Sequence, residues 1–145
     1  MKDYEQIIRE MPAGVDRIVL RILSYHRGEL NLIERDDLLS EVKSHPGMQD
    51  VEDRQMRDAI HELRNQGVRI CHNERREATN GKVKIVFGYY LASSEAEYSS
   101  FREKYGSYAR TIWQTIKSMD EKRPVVSSAG ELEPPKEIAV QQPLL

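Results

Sequence analysis

The sequence is poor in the residues on which many small-protein chemistries depend. It holds one cysteine in 145 residues, so neither an internal disulfide framework nor a cysteine-rich zinc site can be built from it. No apolar run reaches the length of a membrane span, and the stretch after Met1 has no apolar signal-peptide core. These absences set the expectation of a soluble protein of a reducing cytoplasm, without a membrane partner. Charge of one sign is lacking too: 22 Lys and Arg stand against 24 Asp and Glu, a formal net charge of −2. No global basic field draws in a polyanion, so any nucleic-acid contact must rest on a local patch.

Catalytic groupings are equally scarce. His26, His45, His61 and His72 are scattered without metal-ligand spacing. Cys71 and His72 are neighbours, and in a strand they would point to opposite faces. The acidic groups Glu34, Asp36, Asp37 and Glu52, Asp53 stand where helices would begin, and the helix dipole accounts for them there. No phosphate loop or dinucleotide fingerprint is present, nor an internal repeat at solenoid spacing. The expectation is a protein with no enzymatic activity, no cofactor and no metal.

What the sequence does have is periodicity. "MKDYEQIIREM" reads as a short helical lead-in, 1–12, with Pro12 suiting the first turn of a new helix. Val15, Ile18, Val19, Ile22 and Leu23 share one face of that helix, and Gly28 is its expected stop. "LNLIE" reads as a brief strand, and Arg35 to Lys43 as a short helix that ends before Pro46-Gly47. A third helix, 53–66, places Met56, Ala59, Ile60 and Leu63 on one side and stops at Gly67. "VRICH" is strand-like, "NERREAT" reads as a polar loop, and Asn80-Gly81 is a two-residue hairpin turn. The return strand, "KVKIVFGYYL", alternates Val83, Ile85 and Phe87 against Lys82, Lys84 and Val86, with Gly88 marking a bulge or a close backbone approach. Ser94 to Glu97 matches a capping box that opens a long helix, 93–120. Beyond it, residues 121–145 carry three prolines in the last twelve residues and no periodicity, which reads as a disordered tail.

Helix, short strand, helix, turn, helix and hairpin, with "RQMRDAIHELRNQGVRI" followed later by "GYYLA", resembles the winged helix-turn-helix domain of bacterial biotin-ligase repressors and of small phage and prophage DNA-binding proteins. In that pattern the third helix ends in Leu-Arg-x-x-Gly, as Leu63, Arg64 and Gly67 do, and the wing closes on Gly-Tyr-x-Leu, as Gly88, Tyr89 and Leu91 do. The resemblance covers residues 13–92. It implies a winged helix-turn-helix, so that with the long C-terminal helix and flexible tail read above the expected chain is mainly α with a small β-hairpin (α+β). Two departures stand out: a longer hairpin, and a longer turn, "SHPGMQDVE", before the third helix.

The function the resemblance implies is sequence-specific binding of duplex DNA, as a transcriptional regulator or a phage or prophage accessory factor. Arg54, Gln55, Arg57, Asp58 and His61 lie away from the apolar face of helix 53–66. Arg and Gln there are apt for guanine and adenine edges. The wing would bring Arg69, Arg75, Arg76, Lys82 and Lys84 against Glu74 and Glu77, a local excess for backbone or minor-groove contact. The plain alternatives are a solvated helix face with no net charge and an edge hairpin blunted by lysines. From another class, the alternative is a winged-helix protein–protein adaptor in a replication or packaging assembly.

Tyr98, Phe101, Tyr105, Tyr108, Ile112, Thr115 and Met119 recur at three-four spacing, a seam that either packs on its own domain or pairs in a homodimer. The terminal "QQPLL" loosely resembles the Gln-x-x-Leu-hydrophobic peptide by which bacterial replication proteins dock on the sliding clamp. A plain disordered end is the alternative.

Overall fold

A computed structural model of the chain describes residues 3–122. The elements are α1 (Tyr4–Glu10), α2 (Val15–Leu23), a 3-10 turn (Glu29–Asn31), β1 (Ile33–Glu34), α3 (Arg35–Lys43), α4 (Asp53–Asn65), β2 (Ile70–Thr79), β3 (Lys82–Leu91) and α5 (Glu95–Glu121). This is an α+β fold: helices around a small antiparallel sheet of order β1-β3-β2, then one long helix. The chain to Ser99 forms one compact unit, and Ser100 onward belongs to a second. The expected disordered tail and its "QQPLL" end lie, from residue 123, outside the described residues.

The core of the first unit is the periodic residues made solid. Val19, Leu20, Ile22 and Leu23 of α2 are buried with Leu38 and Val42 of α3 and with Met56, Ala59, Ile60 and Leu63 of α4. Each such side chain contributes about 1.5–3 kcal/mol by leaving water, which is why three short helices hold together. The α4 helix opens on Glu52, whose backbone N–H donates to the Gln55 side-chain oxygen at 2.8 Å. It ends before Gly67, which takes φ +93°, a left-handed conformation that suits glycine.

The hairpin turn is as expected: Asn80 and Gly81 both have positive φ, 54° and 75°, the pair of values that matches strand twist in a two-residue turn. The Cα register runs without interruption from Ile70↔Leu91 to Thr79↔Lys82. "NERREAT" is therefore not a loop but the outer part of β2. Gly88 marks no bulge; it is the close approach. A Cβ there would stand 2.3 Å from the Leu32 side chain and 2.5 Å from the Ile33 carbonyl oxygen. Only glycine lets β1 pair across it, Glu34↔Gly88.

Three boundaries differ from the sequence reading. The α2 helix starts at Val15, so Pro12 precedes it rather than occupying its first turn. It ends at Leu23, before Gly28; that glycine, at φ +88°, instead leads into the 3-10 turn and donates its N–H to the Leu91 carbonyl at 2.8 Å. The "LNLIE" run divides between that 3-10 turn and the two-residue β1. In β3 burial changes along the strand: Phe87 is half-buried and Tyr89 and Leu91 are buried, whereas Val83 and Ile85, on the same face, are exposed. Alternation fixes which residues share a face, and packing at the base of the sheet decides how far along it the cover extends.

The capping box forms in shifted form. Ser94 Oγ accepts from the Glu97 N–H at 3.1 Å, but the Glu97 carboxylate reaches past Ser94. It accepts from the Ser93 N–H at 2.9 Å and from the Glu29 N–H at 3.1 Å, tying the start of α5 to the 3-10 turn.

Candidate nucleic-acid interface

Because Met56, Ala59, Ile60 and Leu63 are buried, the opposite side of α4 must face water, and Arg54, Gln55, Arg57, Asp58 and His61 are all exposed. They are not equally available. Gln55 is held in the N-terminal cap by Glu52, which removes its acceptor from any base. Arg57 Nε donates to Asp53 at 2.8 Å, and Arg35 Nε lies 3.7 Å from the other oxygen of the same carboxylate. Asp53 thus sets two guanidinium groups from two helix starts beside each other. Arg54 is held by none of the ion pairs among the described residues.

The hairpin has two faces of different character. Directly paired residues of an antiparallel sheet lie on the same side. Cys71, Asn73, Arg75 and Glu77 of β2 therefore share a face with Lys82, Lys84, Val86 and Tyr90 of β3. The other face carries His72, Glu74, Arg76 and Ala78 with Val83, Ile85, Phe87 and Tyr89. From Glu74 to Ile85 every residue is exposed, so the outer half stands clear of the core.

The face with Arg75 and Lys84 looks into an open cleft of about 550 Å³ against α3, whose wall includes Glu34, Asp37, Ser40, Glu41, Glu77 and His26. Arg75 Nε lies 3.3 Å from Glu77, so carboxylates offset much of the positive charge there. The opposite face adjoins α4. Arg64, from the last turn of α4, donates from Nε to the Ile70 carbonyl at 2.9 Å and bonds His72 Nδ1 at 3.0 Å. His72 then packs on Phe87 at 5.3 Å between ring centroids, and Phe87 meets Tyr89 edge-on at 5.2 Å. Burial raises the Tyr89 hydroxyl above its ordinary value, with the charges of Arg64, Arg35 and Arg57 pulling it back down. That face joins α4 to the sheet through Arg64.

Arg69 stands outside the paired strands of the hairpin. It precedes β2, pairs with Glu95 at the start of α5, and lies 4.1 Å above the Tyr98 ring. The hydrogen bond to Glu95 raises its pKa, against a smaller loss from desolvation. The sequence counts Arg69 with the wing because it sits near the hairpin in number; in space it stands at the hairpin's base. The outer hairpin therefore carries Arg75, Arg76, Lys82 and Lys84 against Glu74 and Glu77. Tyr98, in the first turn of α5, gives its ring face to Arg69. Farther along, Phe101 and Tyr105 stack at 5.3 Å, while Tyr105, Tyr108, Ile112, Trp113, Ile116 and Met119 are exposed; none of α5 is buried.

Sequence reasoning gives no site role to Arg35, Tyr89 or the exposed pair Val83 and Ile85. Arg35 is the first residue of α3 and carries no periodic signal; only the packing of α3 beside α4 brings it to Asp53. The paired strands leave Val83 and Ile85 outside the core because α4 covers the sheet only as far as Phe87. Among the described residues no cluster of three or more His, Cys, Asp or Glu is arranged to hold a metal ion. No helix of the described residues is long and apolar enough to cross a membrane. No family model matches the chain, and no curated protein matches it.

Proposed function

We propose that this α+β chain is a winged-helix protein of the cytoplasm that binds duplex DNA, with α4 in the major groove and the outer hairpin on the flanking backbone. Its expected role is that of a transcriptional regulator or a phage or prophage accessory factor, a binding protein rather than an enzyme. One observation carries the reading: α4 buries one face completely and exposes Arg54, Arg57, Asp58 and His61 on the other, beside a hairpin exposed from Glu74 to Ile85. That is the division of labour a winged helix uses, with a helix for base edges and a wing for phosphates.

The roles of the residues follow from their neighbours. Arg54 is the arginine for a base edge, since it is exposed and no carboxylate among the described residues holds it. Arg57 reads a base only by leaving Asp53 or by carrying that pair with it, and His61 and Asp58 lie farther along the same helix. Arg76 lies on the hairpin face that carries Val83 and Ile85, Arg75, Lys82 and Lys84 lie on the other, and all four serve phosphates.

A labelled duplex titrated at low and moderate salt tests the proposal. Binding at low salt that weakens as salt rises is expected, and no binding at low salt would sink it. Arg54→Ala and Arg57→Ala should each relax sequence preference by about 1–3 kcal/mol at one position. Equal weakening on every sequence would return both to the backbone class.

A second reading has its own observation. Val83 and Ile85 are 66% and 60% exposed on one face of the outer hairpin, which suits a protein partner as an adaptor better than a phosphate. Val83→Ser with Ile85→Ser should leave DNA affinity unchanged if the wing serves DNA alone.

A further inference from the structure

We propose, resting on the DNA reading above, that Asp53 is the positioning residue for Arg57: it stays paired in the complex and aims the arginine at its base. Arg57 Nε donates to one oxygen of the Asp53 carboxylate at 2.8 Å, and Arg35 Nε lies 3.7 Å from the other. Both arginines thus turn Nε toward the carboxylate. A guanidinium is a rigid plane with donors on more than one edge, so a bond at Nε leaves the Nη groups for the paired acceptors O6 and N7 of guanine.

Stability does not account for the bridge. The side chains of Arg57, Arg35 and Asp53 are 55%, 45% and 36% exposed, and ion pairs as wet as these add little to folding. What the bridge supplies is direction. An arginine has many rotamers, and ordering it on a base costs entropy that a contact already made offsets. The Asp53 end is fixed from the backbone outward, since it is the first residue of α4, in the turn that Glu52 and Gln55 close by their reciprocal cap. Arg35, the first residue of α3, adds a hold on the same carboxylate from the preceding helix. Arg57 is therefore aimed relative to both helices. Two arginines against one aspartate leave the group positive, so the bridge does not repel the duplex it orients. An aspartate present only for the helix dipole would need neither arginine. Arg54 has no such brace among the ion pairs of the described residues.

Duplexes varied one base pair at a time test the assignment, with Arg57→Ala marking the base pair that Arg57 reads. Asp53→Asn keeps the shape and removes the charge. It should cut discrimination at that base pair about fivefold, with unchanged circular dichroism. It should also steepen the salt dependence by up to about 0.9 in log K against log salt, as the released arginines take phosphate. Arg35→Ala should erode discrimination at the same base pair by about twofold. Once residue 57 is alanine, Asp53→Asn should cost no further discrimination there. Discrimination kept by Asp53→Asn, or lost equally with and without Arg57, would overturn the proposal and leave the DNA reading standing. So would a lowered thermal midpoint as the sole effect of Asp53→Asn, or an Arg57→Ala chain that discriminates as well as before. An unaltered chain that binds no duplex, or binds all duplexes alike, would overturn both.

Discussion

At its inner end the β2–β3 hairpin is core: Ile70, Cys71, Val86, Tyr89, Tyr90 and Leu91 are buried, and Gly88 has no room for a Cβ. At its outer end every residue from Glu74 to Ile85 is exposed, apolar Val83 and Ile85 included. The two ends are one pair of strands with one uninterrupted register, so backbone hydrogen bonding does not distinguish them. What differs is what lies against each end. The inner end is covered by α4 on one face and by the 3-10 turn on the other; the outer end has no such cover, and its charges face solvent.

That contrast can be tested in three ways. The largest effect is expected in thiol reactivity. Burial pushes the Cys71 thiol up to about 11, whereas a cysteine placed at exposed Ala78 should titrate in the ordinary range near 8.5. At pH 8 Ala78→Cys should alkylate at least about a hundredfold faster than Cys71, and the gap should narrow as pH approaches 11. Similar rates would mean that the inner end opens readily.

Next comes stability. Gly88→Ala must displace Leu32 or the β1 backbone, at a cost of about 1–3 kcal/mol or more in urea denaturation. Ile85→Thr on the same strand should change stability by less than about 0.5 kcal/mol. Comparable losses would show that the outer strands are part of the core after all. The smallest effect sharpens the boundary itself. Arg69→Ala, at the hairpin's base, should lower the thermal midpoint by freeing Glu95 and Tyr98 while leaving the salt dependence of DNA binding unchanged. A reduced salt slope would return Arg69 to the wing.

Much of the fold is legible in the residues. The faces of α2, α3 and α4 and the Asn80-Gly81 turn follow from local periodicity and turn chemistry, and α3 begins and ends where its pattern says. The readings that fail each depend on something distant. How far along β3 the cover extends is set by the elements packed on it, so alternation alone does not separate exposed Val83 and Ile85 from half-buried Phe87 and buried Tyr89 on the same face. Gly28 looks like a helix stop because its left-handed backbone conformation serves many turns, and its real partner is Leu91, far along the chain. Arg69 looks like a wing residue until Glu95 and Tyr98 claim it. Gln55 looks like a base reader until the cap claims it. Charges are the hardest residues to assign from sequence, because a long side chain takes whichever partner the fold brings within reach.

The central claim is that the outer hairpin grips phosphate while the core beneath it carries the fold. The most direct measurement is the salt dependence of duplex binding for the unaltered chain and for Arg75→Ala with Arg76→Ala, with thermal midpoints taken on the same preparations. Removing one phosphate-binding side chain should lower the slope of log K against log salt by about 0.9, so the double variant should fall by up to about twice that at an unchanged midpoint. An unchanged slope, or a reduced slope accompanied by a fallen midpoint, would contradict it.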